Sequence, residues 1–382
     1  MANLRGWYLM HQGSFKKGMG KNRVSREIGM RHMRMLSVHD DGIKATGGIA
    51  GMMIGKRGTG KTTLNLQMAE WETHVKDGSS KWDPNVVTIP ETVVWRSRKY
   101  DYWNTFFPDN WCNSFPGAHP KPVYIHNHDK NDYKFIQEDG RSVIKDHEVE
   151  VIEWENTTDL IRNLKMGAIN VVFEPIDYFI PPEIIKRISL RKLKIDVNRG
   201  RPKKEDEDKE EDPEDYKKEI ERIKEKMANK KFKPKHAPSP VWWFEFSERL
   251  MEMKPRDKYV TLHIDEAHQV FPHSPVGEHY HLIDWFANSM IDMRRHNISL
   301  IACAHDVTYI DWRIRYRVEF SIYMPGAKPE RGRSRVNASL IASLDVGQSL
   351  IEEMLGEFGM FEFGRIPKQP PLIIVEGMPN YA

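Results

Sequence analysis

Eight residues, Gly55-Lys56-Arg57-Gly58-Thr59-Gly60-Lys61-Thr62, carry the most specific chemistry in the chain. They match the pattern Gly-x-x-x-x-Gly-Lys-Ser/Thr, preceded by the apolar run Ile49–Ile54 and followed by a helical pattern from Thr63 onward. Glycines let such a loop fold back so that backbone N–H groups surround a β-phosphate. The helix N-terminus adds its partial positive charge. In that setting Lys61 reaches the β- and γ-phosphates, and the Thr62 hydroxyl is offered to Mg2+. The loop, with Thr63, is therefore the expected site for ATP. A chance glycine-rich surface loop is the competing reading, and the flanking strand and helix disfavour it.

The second signal is Val260-Thr261-Leu262-His263-Ile264-Asp265-Glu266, an apolar strand ending in two acids. Asp265 suits a hold on Mg2+ through its water shell. Glu266 would then stand beside the γ-phosphate and polarise an attacking water. Asp265-Glu266-Ala267-His268 also spells the DEAH of a helicase family. That reading is disfavoured, because Lys61 and Asp265 lie some 200 residues apart and only about 115 residues follow the acids, too few for a second motor lobe.

The elements that must position these groups are legible as short β-branched and aromatic runs between turn clusters. Strands are expected at Ile49–Gly55, Thr92–Arg98, Val123–Asn127, Val149–Glu155 and Ile169–Glu174. Further strands are expected at Tyr259–Glu266, Ser299–His305, Phe320–Gly326, Gly359–Ile366 and Pro371–Glu376. Helices are expected over Thr62–Lys76, Val241–Met253, His281–Arg295 and Ala338–Leu355. A hairpin is expected about Glu138-Asp139-Gly140-Arg141. Between the two series the composition breaks. Glu205–Asp215 is nearly all acidic and cannot bury enough apolar surface to offset its ordering entropy. Tyr216–Lys235 is Lys/Glu-rich with a narrow apolar stripe that suits an exposed helix. Strands alternating with helices on both sides imply an α/β fold whose central sheet is interrupted by a charged insertion. The expected organisation is a basic, poorly ordered arm (1–45), the phosphate-loop half of the core (46–195), the charged insertion (196–237) and the acid-bearing half (238–382).

After the acids come a helix, Asp292-Met293-Arg294-Arg295-His296-Asn297, the apolar strand Ser299–Ala304 ending in His305, and then Ile310-Asp311 and the Phe320–Met324 strand. This succession resembles the FtsK–HerA superfamily of DNA-pumping ATPases, nearest its HerA-like and viral genome-packaging branches. The resemblance covers the phosphate loop and most of Tyr259–Gly326, but neither the arm nor the insertion. Ala304-His305 stands where the family usually has Thr-Gln, and Met293 replaces the glycine before the arginine pair. The resemblance implies a RecA-like P-loop NTPase with a mainly parallel sheet. It implies Lys61 and Glu266 as catalytic groups, His305 as a γ-phosphate sensor, and Arg294 as a finger offered to a neighbouring subunit. Arg295, Arg315 and Arg317 are rivals for that last role. An arginine finger is worth about 10³–10⁵ in rate, so hydrolysis would require a homo-oligomeric ring, a hexamer in much of the family. The implied activity is ATP hydrolysis coupled to translocation or packaging of double-stranded DNA, in the cytoplasm or a virion, beside a virion or mobile-element protein. A Zot-like assembly or secretion ATPase is the alternative.

Two segments fit a DNA partner. Arg199-Gly200-Arg201-Pro202 is the core of an AT-hook, which lies in narrow A·T minor grooves. Arg331-Gly332-Arg333-Ser334-Arg335 could line a phosphate track. Both compete with ordinary solvated loops. His263, His268, His273, His279 and His281 suit polar packing better than metal ligation, since no His-x-x-x-His pair stands beside an acid. The 382 residues hold two cysteines, Cys112 and Cys303, too few for a disulfide framework or a Cys-rich zinc site. No apolar run approaches the roughly 18 residues of a membrane span, and no apolar core follows the basic N-terminus as in a signal peptide. The net charge of +3 hides an uneven distribution, since residues 1–44 hold nine Lys/Arg against three acids.

Overall fold

Parallel strands covered on both faces read as nearly continuous apolar runs, because alternate residues enter different cores. Such runs here assemble a ten-stranded sheet. The computed structural model describes residues 29, 32–33, 39–40, 47–73, 88–89, 91–98, 121–132, 143–144, 147–148, 150–176, 239–253, 258–275, 278–354 and 357–363. In chain order the elements are β1 (Ala50–Ile54), α1 (Lys61–Thr73), β2 (Thr92–Ser97), β3 (Val123–His126), β4 (Val151–Trp154), α2 (Thr157–Asn163) and β5 (Ile169–Phe173). After the insertion come α3 (Ser239–Met253), β6 (Val260–Ile264), α4 (Glu278–Arg295), β7 (Ile298–Ala304) and α5 (Trp312–Arg315). The last are β8 (Phe320–Tyr323), α6 (Ala338–Ala342), β9 (Gln348–Glu353) and β10 (Phe358–Glu362).

The sheet order is β10-β9-β8-β1-β7-β6-β2-β5-β3-β4. All neighbours from β8 to β4 are parallel, and β9 and β10 extend the β8 edge antiparallel. Strands from both sides of the insertion thus share one sheet, flanked by helices, in the RecA-like arrangement of a P-loop NTPase. Met52 and Ile54 of β1, Leu262 and Ile264 of β6, and Leu300 and Ala302 of β7 join one core with α3 and α4. Met53, Trp95, Ile301 and Cys303 point the other way, into a core with Leu64 and Met68 of α1. This period-two division places all the parallel strand ends that carry chemistry along one edge.

The structure corrects the expected helix over Ala338–Leu355. Asn337 caps a single short helix, α6, by accepting from the Ser339 N–H at 3.1 Å. Gly347, at φ +95°, then turns the chain into β9, of which Leu350–Glu352 pairs with both β8 and β10. A left-handed glycine outweighs weak helical periodicity, and Gly347 was its visible signal. The expected hairpin about Glu138–Arg141 has its turn and first strand outside the described residues; Val143–Ile144 pairs antiparallel with His147–Glu148, a different and later pairing. The Pro371–Glu376 strand and all of 196–237 also lie outside the described residues. Among its described residues, the basic arm reaches the core. Met33 is fully buried among β-strand side chains, and the His32 ring stands edge-on to Phe320 at 5.6 Å.

Glu245 sits on α3 at 4% exposure. Burial pushes its carboxyl from 4.5 up to about 7, while Arg249 one turn on and the Thr157 hydroxyl pull it down. A carboxyl with a raised folded value contributes stability that is complete below about pH 4.5 and is lost as pH rises through about 7. Glu245→Gln should therefore raise the thermal unfolding midpoint at pH 8, by an amount on the order of 2–3 kcal/mol of stability, and leave it unchanged near pH 4.5. Unfolding curves at both pH values check this, and an equal shift at the two would contradict it.

Candidate nucleotide-binding and hydrolysis site

β1 ends at Ile54 because Gly55 must turn in a space that admits no side chain. A Cβ there would lie 2.5 Å from the Met324 Cβ and 2.8 Å from Thr59 Oγ1. The Gly55 N–H donates to Ala304 O at 3.1 Å, which ties the loop to the end of β7. Thr59 closes the turn by donating its hydroxyl to Lys56 O at 2.8 Å. Gly60, at φ +93°, lies under the Phe363 ring, whose edge would meet a Cβ at 3.0 Å. Arg57 and Gly58 remain exposed at the tip, and α1 starts at Lys61.

Lys61 is buried, and its ammonium donates to Gly55 O at 2.7 Å, to Lys56 O at 3.0 Å and to His305 Nδ1 at 3.2 Å. Three donors thus find three acceptors. Burial lowers its pKa from the ordinary lysine value, with nearby Cys303, Asp265 and Glu266 opposing that shift. Thr62 points its hydroxyl at Asp265 Oδ2, 3.4 Å away, across the gap between α1 and the end of β6. A hydroxyl and a carboxylate converging there are hard oxygen donors of the kind Mg2+ takes, so these two residues fit the implied metal.

Glu266 adopts the left-handed conformation, φ 50° and ψ 46°, uncommon and mildly strained for a non-glycine residue. Its N–H donates to Asp265 Oδ1 at 2.9 Å. The turn brings Glu266 Oε1 to 3.0 Å from His305 Nε2 and Oε2 to 3.3 Å from His268 Nδ1. Because Lys61 donates to Nδ1 of His305, the ring proton belongs on Nε2, facing the Glu266 carboxylate. His305 therefore bridges the phosphate-loop lysine and the expected base. His268 is held below the ordinary histidine pKa by burial, which outweighs the attraction of Glu266.

The structure thus brings together Lys61, Thr62, Asp265, Glu266 and His305. Arg294 is not among them. It lies at the far end of the sheet, where its carbonyl accepts from Gly48 N–H just before β1, and its half-exposed guanidinium pairs with Glu319. Arg315 pairs with Glu330 at 2.7 Å. Arg333, central in the second basic stretch, turns inward to the carbonyls of Arg315, Tyr316 and Val318 at the end of α5. His263 is in polar packing. Fully buried, it contacts Asn65 Oδ1 at 2.8 Å and Glu72 Oε2 at 2.7 Å, and stacks on Trp95, which fastens α1 to β6. The Arg199–Pro202 segment lies outside the described residues.

Arg96 escaped sequence reasoning. Only 2% exposed at the end of β2, it pairs with Glu174 through Nε and Nη2, and donates to Gln269 Oε1 at 3.1 Å and to the backbone carbonyl of Asp265 at 2.5 Å. The available signal was a lone charge in Thr-Val-Val-Trp-Arg-Ser, an otherwise buried parallel strand.

A phosphate loop ending a central parallel strand, with an Asp-Glu strand end two strands away and a histidine at the end of the strand between them, defines a P-loop NTPase. No family model and no curated protein sequence matches this chain. Among solved structures it is similar to the genome packaging NTPase B204 from Sulfolobus turreted icosahedral virus 2 in complex with ATP-gammaS, at 9% identity and a TM-score of 0.36, over 82% of this chain and 97% of that one. It is also similar to VirB4 of Thermoanaerobacter pseudethanolicus, at 11% identity and a TM-score of 0.36, over 83% and 90% of the two chains. The N-terminal domain of zonular occludens toxin from Neisseria meningitidis matches at 10% identity and a TM-score of 0.28, over 84% and 96%. Outlines agree only loosely at such values, and the site residues here are assigned from the geometry of this chain.

Gly60→Ala should lower nucleotide affinity at least tenfold with secondary structure retained, because a Cβ is strained at φ +93° and meets Phe363. Titration with a fluorescent ATP analogue measures this, and undiminished affinity would show that the left-handed turn is dispensable.

Proposed function

We propose that this chain hydrolyses ATP with Mg2+, and that a ring of its copies couples the reaction to moving double-stranded DNA. The observation that carries the hydrolytic part is the placement of Glu266. Its carboxylate is aimed across the end of β7 toward Lys61, with His305 between them. A site built only to bind nucleotide needs no carboxylate there. Lys61 and the loop N–H groups would hold the phosphates, and Thr62 and Asp265 would hold the metal, which when bound neutralises charge on the phosphate oxygens. Glu266 would orient water and take its proton. His305 would exchange its contact with Lys61 for one with the γ-phosphate, reporting whether that phosphate is present.

The motor part rests on the resemblance to FtsK–HerA ATPases and on the basic segments. Arg294 is the proposed finger. Within one chain it stands at the end of β1 opposite the phosphate loop, so its only route to a phosphate is the site of a neighbouring copy, reached by giving up Glu319. Among the described residues no helix is long and apolar enough to cross a membrane.

Glu266→Gln should keep nucleotide affinity within about threefold and lower turnover by 10²–10⁴. In the same assay double-stranded DNA should stimulate the native chain at low salt, with stimulation fading as salt rises. Full turnover in the variant would remove the hydrolytic reading, and a rate indifferent to DNA would favour the assembly or secretion ATPase. Mixing Arg294→Ala with Lys61→Ala chains should restore part of the activity each lacks alone. No recovery at any mixing ratio would remove Arg294 from the neighbour's site.

A further inference from the structure

The turn that carries Asp265 and Glu266 is held in an uncommon shape, and something must hold it. A left-handed non-glycine residue persists where its surroundings over-determine it. Within the turn, the Asp265 side chain caps the Glu266 N–H, and the Gln269 N–H donates to Glu266 O at 2.9 Å. Neither bond reaches the carbonyl of the Asp265–Glu266 peptide, whose direction sets the tilt of that plane. Arg96 Nη1 does, donating to Asp265 O at 2.5 Å.

The same guanidinium is itself immobilised. Its Nε and Nη2 form a two-pronged pair with Glu174, at the end of β5, and Nη2 also reaches Gln269 on the short helix after the acids, at 3.1 Å. Glu174 in turn accepts from the indole N–H of Trp243 on α3. A planar fork with donors in fixed directions can serve a carboxylate, an amide and a carbonyl at once; a lysine ammonium has the charge without that geometry. The group lies behind the acids, on the face of the sheet that carries α3, and touches neither Lys61 nor Thr62.

Resting on the hydrolytic reading above, we propose that Arg96 is a positioning residue for hydrolysis: it locks the Asp265–Glu266 peptide so that the Glu266 carboxylate faces the phosphate loop, and Glu174 and Trp243 hold the lock. Arg96 does not touch substrate or metal. Its loss acts through the direction in which Glu266 points.

Substituting Arg96 alone would leave Glu174 as a largely buried carboxylate without its cation, so loss of folding could imitate loss of function. The test therefore pairs Arg96→Met with Glu174→Gln, which removes both charges, roughly keeps the volume and leaves Trp243 an acceptor. This double variant should unfold at the native midpoint within a few degrees and show an unchanged KM for ATP within about threefold, with kcat lowered at least tenfold. In the nucleotide-free chain, hydrogen–deuterium exchange should rise at least tenfold in a peptide covering 265–271, while peptides from β1 and β7 keep native protection. Arg96→Lys, with Glu174 intact, should keep stability yet recover little of kcat. Native kcat with native exchange at 265–271 would overturn the proposal. So would loosening spread evenly over the sheet, or full recovery by lysine, since each marks a role in charge pairing or bulk packing alone. If the native chain proves inactive toward ATP, the proposed function falls, while the exchange measurement still decides whether Arg96 holds the turn.

Discussion

The catalytic edge depends on one strand that carries none of the signature motifs. β7 lies between β1, which leads into the phosphate loop, and β6, which ends in the acids. Two strand spacings set these about 10 Å apart, a gap wide enough for phosphates and an ion yet short enough for Lys61 and Thr62 to span from α1. The register fixes the height of each group. Ala304 stands level with Ile54, and Ala302 with Ile264. His305 follows Ala304, beyond the paired ends of both neighbouring strands, where it meets the lysine on one side and the glutamate on the other. Slipping β7 by one residue would turn Cys303 and Ile301 into the opposite core and carry the imidazole away from both partners.

What the sequence made legible follows from how local the determinants are. The phosphate loop is eight contiguous residues whose glycines have steric reasons, so it could be read without a fold. Asp265 and Glu266 could be read because they abruptly stop a mostly apolar strand, which the fold buries along its whole length. The pairing of His305 with Glu266 needed the order β1-β7-β6, which no run of residues states; the resemblance pointed to His305 as a phosphate sensor but not to this pairing. Arg96, Glu174 and Trp243 come from three separate elements and meet only in the folded chain. Even so, one charge in the buried strand Thr92–Ser97 was a departure worth following. The helix expected over Ala338–Leu355 failed because its apolar spacing fits either structure, and the left-handed Gly347 ends the helical stretch and starts a strand.

Arginine here is used inward as much as outward. Arg96 fixes a backbone carbonyl, Arg333 closes the carbonyls after α5, and Arg313 is buried against Asp311 with Nε at 2.9 Å from its carboxylate. A count of basic residues therefore overstates the charge available to a polyanion. The +3 of the whole chain is a poor guide to its surface, because several of its cations are spent as hydrogen-bond forks within the fold.

The strand order also has a consequence for how the chain is made. β1 is the first strand of the large sheet to be synthesised, yet both its neighbours, β7 and β8, are encoded more than 240 residues later. At about 5–20 residues per second, the Ala-Gly-Met-Met-Ile segment waits more than ten seconds with neither of its backbone edges paired in the native way. Phe363, which packs on Gly60, arrives later still. A nascent chain that already contains every phosphate-loop residue therefore lacks the walls that shape the loop. Its capacity to hold nucleotide should emerge only once Phe363 has been made, and until then β1 is an apolar edge in need of shielding.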